Sequence, residues 1–63
     1  MFTMKNNNTL MTNGVMAATL EKMTGKTDDR FYDYAVSILA GMVPGSKQSF
    51  MVGGKVVIVT REN

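Results

Sequence analysis

Gln48-Ser49-Phe50-Met51-Val52-Gly53-Gly54-Lys55-Val56-Val57-Ile58-Val59-Thr60 reads as a β-hairpin. Two runs rich in β-branched and aromatic residues flank a Gly-Gly pair. Two consecutive glycines accept the positive φ angles of a two-residue hairpin turn. Strands at about 48–52 and 55–60 follow, with Val52 opposite Lys55, Met51 opposite Val56 and Phe50 opposite Val57. Phe50, Val57 and Val59 then share one face, and Met51, Val56 and Ile58 share the other. A hairpin with one wet side alternates apolar and polar residues. Val56-Val57-Ile58-Val59 does not alternate, so this strand is expected to be covered on both faces. Left open, such a run is an aggregation hazard. Arg61 and Glu62 have the look of charged gatekeepers at its end.

Upstream of the hairpin, the spacing predicts two helices. The first spans about 12–24. Thr12 or Asn13 supplies an N-cap, Met16, Leu20 and Met23 fall on one face, and Gly25 ends it as a positive-φ residue. The second spans about 28–42. Thr27 or Asp28 caps it, and Asp28 and Asp29 place negative charge at the positive end of the helix dipole. Phe31, Tyr34, Ala35, Ile38 and Met42 recur at helical spacing, with Leu39 at the margin of the stripe. Pro44 disfavours helical geometry just before it. Phe2 to Met4 is read as a short strand that completes a three-stranded sheet, and Asn6-Asn7-Asn8 as a loop. The fold class is α+β, in one small domain over residues 1–63.

A chain of 63 residues has little interior, and small domains usually rely on disulfides, a metal or a partner. Cysteine and histidine are absent. Disulfides are thereby excluded, as is a zinc site of the thiolate or imidazole kind. Packing and self-association remain. The net charge of +2, from seven basic and five acidic residues, is too small to mark a nucleic-acid protein. No apolar run approaches the length of a membrane span, and the N-terminal residues lack the apolar region of a signal peptide. A cytoplasmic location is the expectation.

Catalytic chemistry is sparse. The commonest general base and the thiol nucleophile are both missing. Asp28, Asp29 and Asp33 are acidic enough to suggest a Mg²⁺ site, but a helix start explains them without one. Gly41-Met42-Val43-Pro44-Gly45-Ser46-Lys47 has the wrong spacing and the wrong flanking elements for a phosphate loop. Ser46, Lys47 and Ser49 are accounted for by a turn and a strand edge. No cofactor and no metal are expected, and the chain is read as a non-enzyme.

Seven methionines suit a core that needs adaptable filler, and Met is also common on binding surfaces. Met4 and Met51 are the two expected to face a partner. Tyr32, off the predicted core stripe, is a candidate interface anchor.

The order helix, short loop, helix, hairpin resembles the second half of a winged helix-turn-helix module. The resemblance is carried by Ala17-Ala18-Thr19-Leu20-Glu21-Lys22-Met23-Thr24-Gly25-Lys26, by Phe31 to Leu39, and by Phe50 to Thr60 as the wing. It covers residues 15–60 and is one of pattern. It implies duplex DNA as partner, with Lys26, Arg30, Lys47 and Lys55 on backbone phosphates and the second helix in the major groove. Two departures stand. No first helix precedes Met11, and the would-be recognition helix opens on Asp28, Asp29 and Asp33, which repel phosphates.

The leading expectation is therefore a protein-interaction module: a regulator, inhibitor or assembly factor, of the kind phages and mobile elements encode. Its interface would comprise Met51, Val56, Ile58, Met4 and Tyr32, and its partner would be a second copy or another protein. The free edge of the first hairpin strand is a further place for strand addition.

Overall fold

The computed structural model describes residues 1–63. Six elements follow one another: β1 (Phe2–Met4), β2 (Asn7–Met11), α1 (Asn13–Met23), α2 (Asp29–Ala40), β3 (Lys47–Val52) and β4 (Lys55–Arg61). The four strands form one antiparallel sheet in the order β2-β1-β4-β3, and the helix pair lies on one face of it. This is an α+β arrangement, with two helices inserted between two hairpins.

The C-terminal hairpin has the predicted register. Phe50 pairs with Val57, Met51 with Val56 and Val52 with Lys55. Gly53 and Gly54 turn the chain at φ 56° and 78°, values that suit glycine at both positions of the turn. Gly53 also lies against the end of α1, where a β-carbon would come within 2.9 Å of the Met23 carbonyl oxygen.

Phe2 to Met4 joins the sheet by pairing with β4, Phe2 opposite Arg61 and Met4 opposite Val59. The strand with the greatest aliphatic density is therefore central, hydrogen-bonded on both sides. The sheet has four strands, one more than expected, because the asparagine tract is not a loop. Only Lys5 and Asn6 turn, with Asn6 at φ 71°, a left-handed conformation that Asn tolerates better than most residues. Asn7 and Asn8 already belong to β2. Weak strand propensity is overridden here by pairing with β1. The Asn7 side chain accepts from the Thr9 N–H at 3.0 Å, next to an irregularity in the β1–β2 register.

Both helices are capped as the sequence suggests. The Thr12 hydroxyl accepts from the Val15 N–H at 3.2 Å, and the Asp28 carboxylate from the Phe31 N–H at 3.1 Å. Gly25, at φ 84°, follows the first helix. Glu21 reaches across the interhelical loop to accept from the Asp28 N–H at 2.7 Å, fixing the turn between the helices.

Ten residues are buried. Met16, Ala17 and Leu20 come from α1, Ala35 and Leu39 from α2, Phe2, Phe50, Val52 and Val59 from the sheet, and Met42 from the following loop. On α2 the buried stripe is centred on Ala35 and Leu39, not on the full predicted set of Phe31, Tyr34, Ala35, Ile38 and Met42, although Phe31 and Ile38 still pack against the core and Met42 is buried. At about 100° per residue the face is turned by roughly 60° from the predicted one. The helix has to satisfy α1 on one side and the sheet on the other, and apolar spacing alone does not divide these two contacts. Tyr32 consequently packs against the core, while Tyr34 is 54% exposed. The Tyr34 ring still meets Phe50 edge-on, with centroids 6.4 Å apart.

Arg61 is not a gatekeeper. Its guanidinium lies 5.7 Å from the centre of the Phe2 ring and donates to the Met42 carbonyl, tying the loop after α2 to the sheet.

Candidate interaction surface

Side chains directly opposite one another in an antiparallel sheet share a face. Val59 is wholly buried, so its partners Met4 and Gln48 mark the side toward the helices, as do Phe50 and Val57. The other side carries Lys47, Ser49 and Met51 of β3, Val56, Ile58 and Thr60 of β4, and Thr3 of β1. No element covers it. Met51 is 69% exposed and Val56 is 59% exposed, and these two are direct cross-strand partners. Ile58 continues the apolar strip toward the centre of the sheet and is half-buried by its neighbours. Leu10, one residue before the core-packed Met11 and 55% exposed, faces the same side by alternation, with Thr3 of β1 between it and β4.

One end of this face is polar. Lys47 donates to the Thr60 hydroxyl at 3.2 Å, and the Thr3 hydroxyl donates to Glu62 at 2.6 Å. Thr3 and Thr60 are themselves paired across β1 and β4. Lys47 and Glu62 are thereby held at the same end, one cation and one anion. A shallow depression open to solvent runs from there along Thr3, Lys5, Asn8 and Ile58.

The edges of the sheet follow from the hydrogen-bond ladder. The Arg61 N–H donates to the Ser46 carbonyl at 2.9 Å and the Arg61 carbonyl accepts from the Gly45 N–H at 2.6 Å, so both backbone groups of Arg61 point toward β3. Alternation turns Val59 and Val57 the same way and Ile58 toward β1, where its carbonyl accepts from the Lys5 N–H at 2.9 Å. On β3, Gln48, Phe50 and Val52 therefore bond to β4. Lys47, Ser49 and Met51 direct their N–H and C=O groups outward, along a free edge. The middle of that edge is occupied: the Gln48 side-chain amide donates to the Ser49 carbonyl at 3.2 Å.

Of the five predicted interface residues, the structure brings Met51, Val56 and Ile58 together on the open face. Met4 and Tyr32 are placed elsewhere. Met4 is opposite Val59 and packs toward the helices, and Tyr32 packs on the core. In both cases spacing along the chain did not reveal which side the neighbouring element occupies. Leu10 and Thr3 also lie on this face and were not among the five. The signal for Leu10 lay in Thr9-Leu10-Met11, a short β-prone run behind a two-residue turn, which the asparagines disguised.

The basic residues of the DNA reading do not converge on one face. Lys47 opposes Thr60 at one end of the hairpin, and Lys55 opposes Val52 at the other, on the opposite side of the sheet. Arg30 stands in the first turn of α2 beside Asp28 and Asp29, and Lys26 lies in the loop before it. At the α2 N-terminus the Asp28 carboxylate already accepts from the Phe31 N–H and places negative charge where a phosphate would sit.

No group of three or more carboxylates is arranged to hold a metal ion, and every surface depression is open to solvent. No helix is long and apolar enough to cross a membrane. Comparison with protein families, with curated proteins and with solved structures finds no match. The site is therefore read from its own geometry.

Proposed function

We propose that this chain is a non-enzymatic protein-interaction module, a regulator, inhibitor or assembly factor that acts through the open face of its sheet. The observation that carries the reading is the Met51–Val56 pair: two large apolar side chains, each more than half exposed, side by side on a face no part of the chain covers. Exposed apolar residues scattered singly are ordinary, but contiguous ones rimmed by polar groups mark contact surfaces. Here Ile58 joins them and Lys47, Thr60, Thr3 and Glu62 form the rim.

The two sides of β4 make the test internally controlled. Val57→Lys forces a charge toward the helices and is expected to unfold the chain. Ile58→Lys and Val56→Lys place the same charge on the open side and are expected to leave the circular dichroism spectrum and melting curve nearly unchanged while abolishing association. Folded Ile58→Lys and Val56→Lys proteins that associate as the parent does would end the reading.

Duplex DNA is the competing partner. Backbone contacts to phosphate release counterions, so such binding weakens steeply with salt. The placement of Lys47 and Lys55 on opposite sides of the sheet and the acidic opening of α2 favour the protein partner. Measurable binding to a duplex at about 50 mM salt, lost on charge reversal of Lys26 and Arg30, is the outcome that would reverse this preference.

A further inference from the structure

We infer that the occupant of the open face is a second copy of this chain, packed sheet against sheet, and that the free edge of β3 is closed to self-pairing. The inference rests on the interaction reading above and names its partner. Three observations carry it.

The first is dimension. The four strands hold 3, 5, 6 and 7 residues, which at about 4.8 Å between strands and about 3.3 Å per residue present a face of roughly 330 Å². Two such faces together cover about 700 Å², and side-chain relief brings the area removed from water only up toward the roughly 1,000 Å² at which specific interfaces begin, the range of weak, transient contacts. The expected dimer is accordingly weak, with a dissociation constant in the micromolar range.

The second is charge. The rim holds Lys47 and Glu62 at the same end, each tethered to one of the paired threonines, and Lys5 lies beside Ile58, so cations and an anion are both present. A rim of mixed sign meets its own copy with little repulsion, whereas a face of one sign repels itself and steers a partner of opposite charge.

The third distinguishes face from edge. Joining two β3 strands edge to edge would extend the sheet but leave Met51, Val56 and Ile58 in water, so the apolar surface that calls for a cover would double. That route is also obstructed, because the Gln48 side chain already bonds the outward Ser49 carbonyl at 3.2 Å. Side chains that disrupt an edge are a means by which sheets avoid chain-to-chain pairing. Face packing leaves this bond intact and buries the strip.

The test uses the full chain. Analytical ultracentrifugation is expected to show a monomer–dimer equilibrium between about 1 and 100 μM, displaced at least tenfold toward monomer by Ile58→Lys. Amide hydrogen exchange by NMR separates the two geometries, since the N–H groups of Lys47, Ser49 and Met51 point outward from β3. In a sheet-on-sheet dimer these three amides keep exchanging with water as the concentration rises. A dimer that slows their exchange and survives Ile58→Lys is edge-paired and overturns the inference. So does a chain that is monomeric at 500 μM. If that monomer binds a purified partner protein and Ile58→Lys abolishes the binding, the interaction reading survives without the second copy. If the monomer and its Ile58→Lys variant behave alike in every binding measurement, both fall.

Discussion

Gly53 shows how one residue can be required twice. Its φ of 56° is a conformation that costs other residues about 1–2 kcal/mol, and its missing side chain leaves room for the Met23 carbonyl 2.9 Å from where a β-carbon would sit. Gly54, at φ 78°, has the first requirement without the second, for open space surrounds it. Gly53→Ala should therefore lower stability by about 2 kcal/mol or more and Gly54→Ala by about 1 kcal/mol. Urea unfolding at a fixed protein concentration measures both. Equal losses would show that the approach of the hairpin turn to α1 is unimportant. The Gly-Gly turn was plain from the residues on either side of it. The contact with Met23 was not, because it joins positions 30 residues apart in the chain.

Among the elements, α2 has the better-anchored beginning. Asp28 caps it, and Glu21 holds the Asp28 N–H, so two carboxylates organise the interhelical turn. Asp28→Ala should cost about 1 kcal/mol, within the usual range for an N-cap. Glu21→Ala should cost a similar amount and free the turn, seen as faster amide exchange at Asp28. No change in exchange there would mean that Glu21 contributes nothing to the turn. The position of each helix was legible from caps and spacing, since these are interactions within one or two turns. The rotation of α2 was not. Tyr32 and Tyr34 are two residues apart on an amphipathic helix, and only the placement of α1 and β3 decides that Tyr32 is the one turned inward. Similarly, Asn7 and Asn8 have poor strand propensity and form a strand because β1 offers them a partner.

Taken whole, the molecule is closed by its two ends meeting in the middle of the sheet. Phe2 pairs with Arg61, lies under its guanidinium and is only 4% exposed. Phe2→Ala removes a ring from a core of ten buried residues and should cost about 3–5 kcal/mol. A domain of this size has little stability in excess of that. The variant is expected to be largely unfolded at 25 °C by circular dichroism, and a cooperative melt near the parent's would show that β1 is dispensable. The same economy bears on the open face. With Met51 and Val56 both more than half exposed, covering them adds stability that a core this small cannot obtain internally.

Local chemistry was enough to specify the Gly-Gly hairpin and its register and the two capped helices. Each depends on groups within a few residues of one another, where backbone geometry and side-chain periodicity are nearly independent of the rest of the chain. Tertiary structure decided which side of β4 meets the helices, that β1 makes this strand central, that Met4 and Tyr32 turn inward, and that Gln48 occupies the free edge of β3. Those outcomes arise from contacts between segments far apart in the chain. A period of 2 or 3.6 residues says that a face exists, and only the neighbouring element says which face it covers.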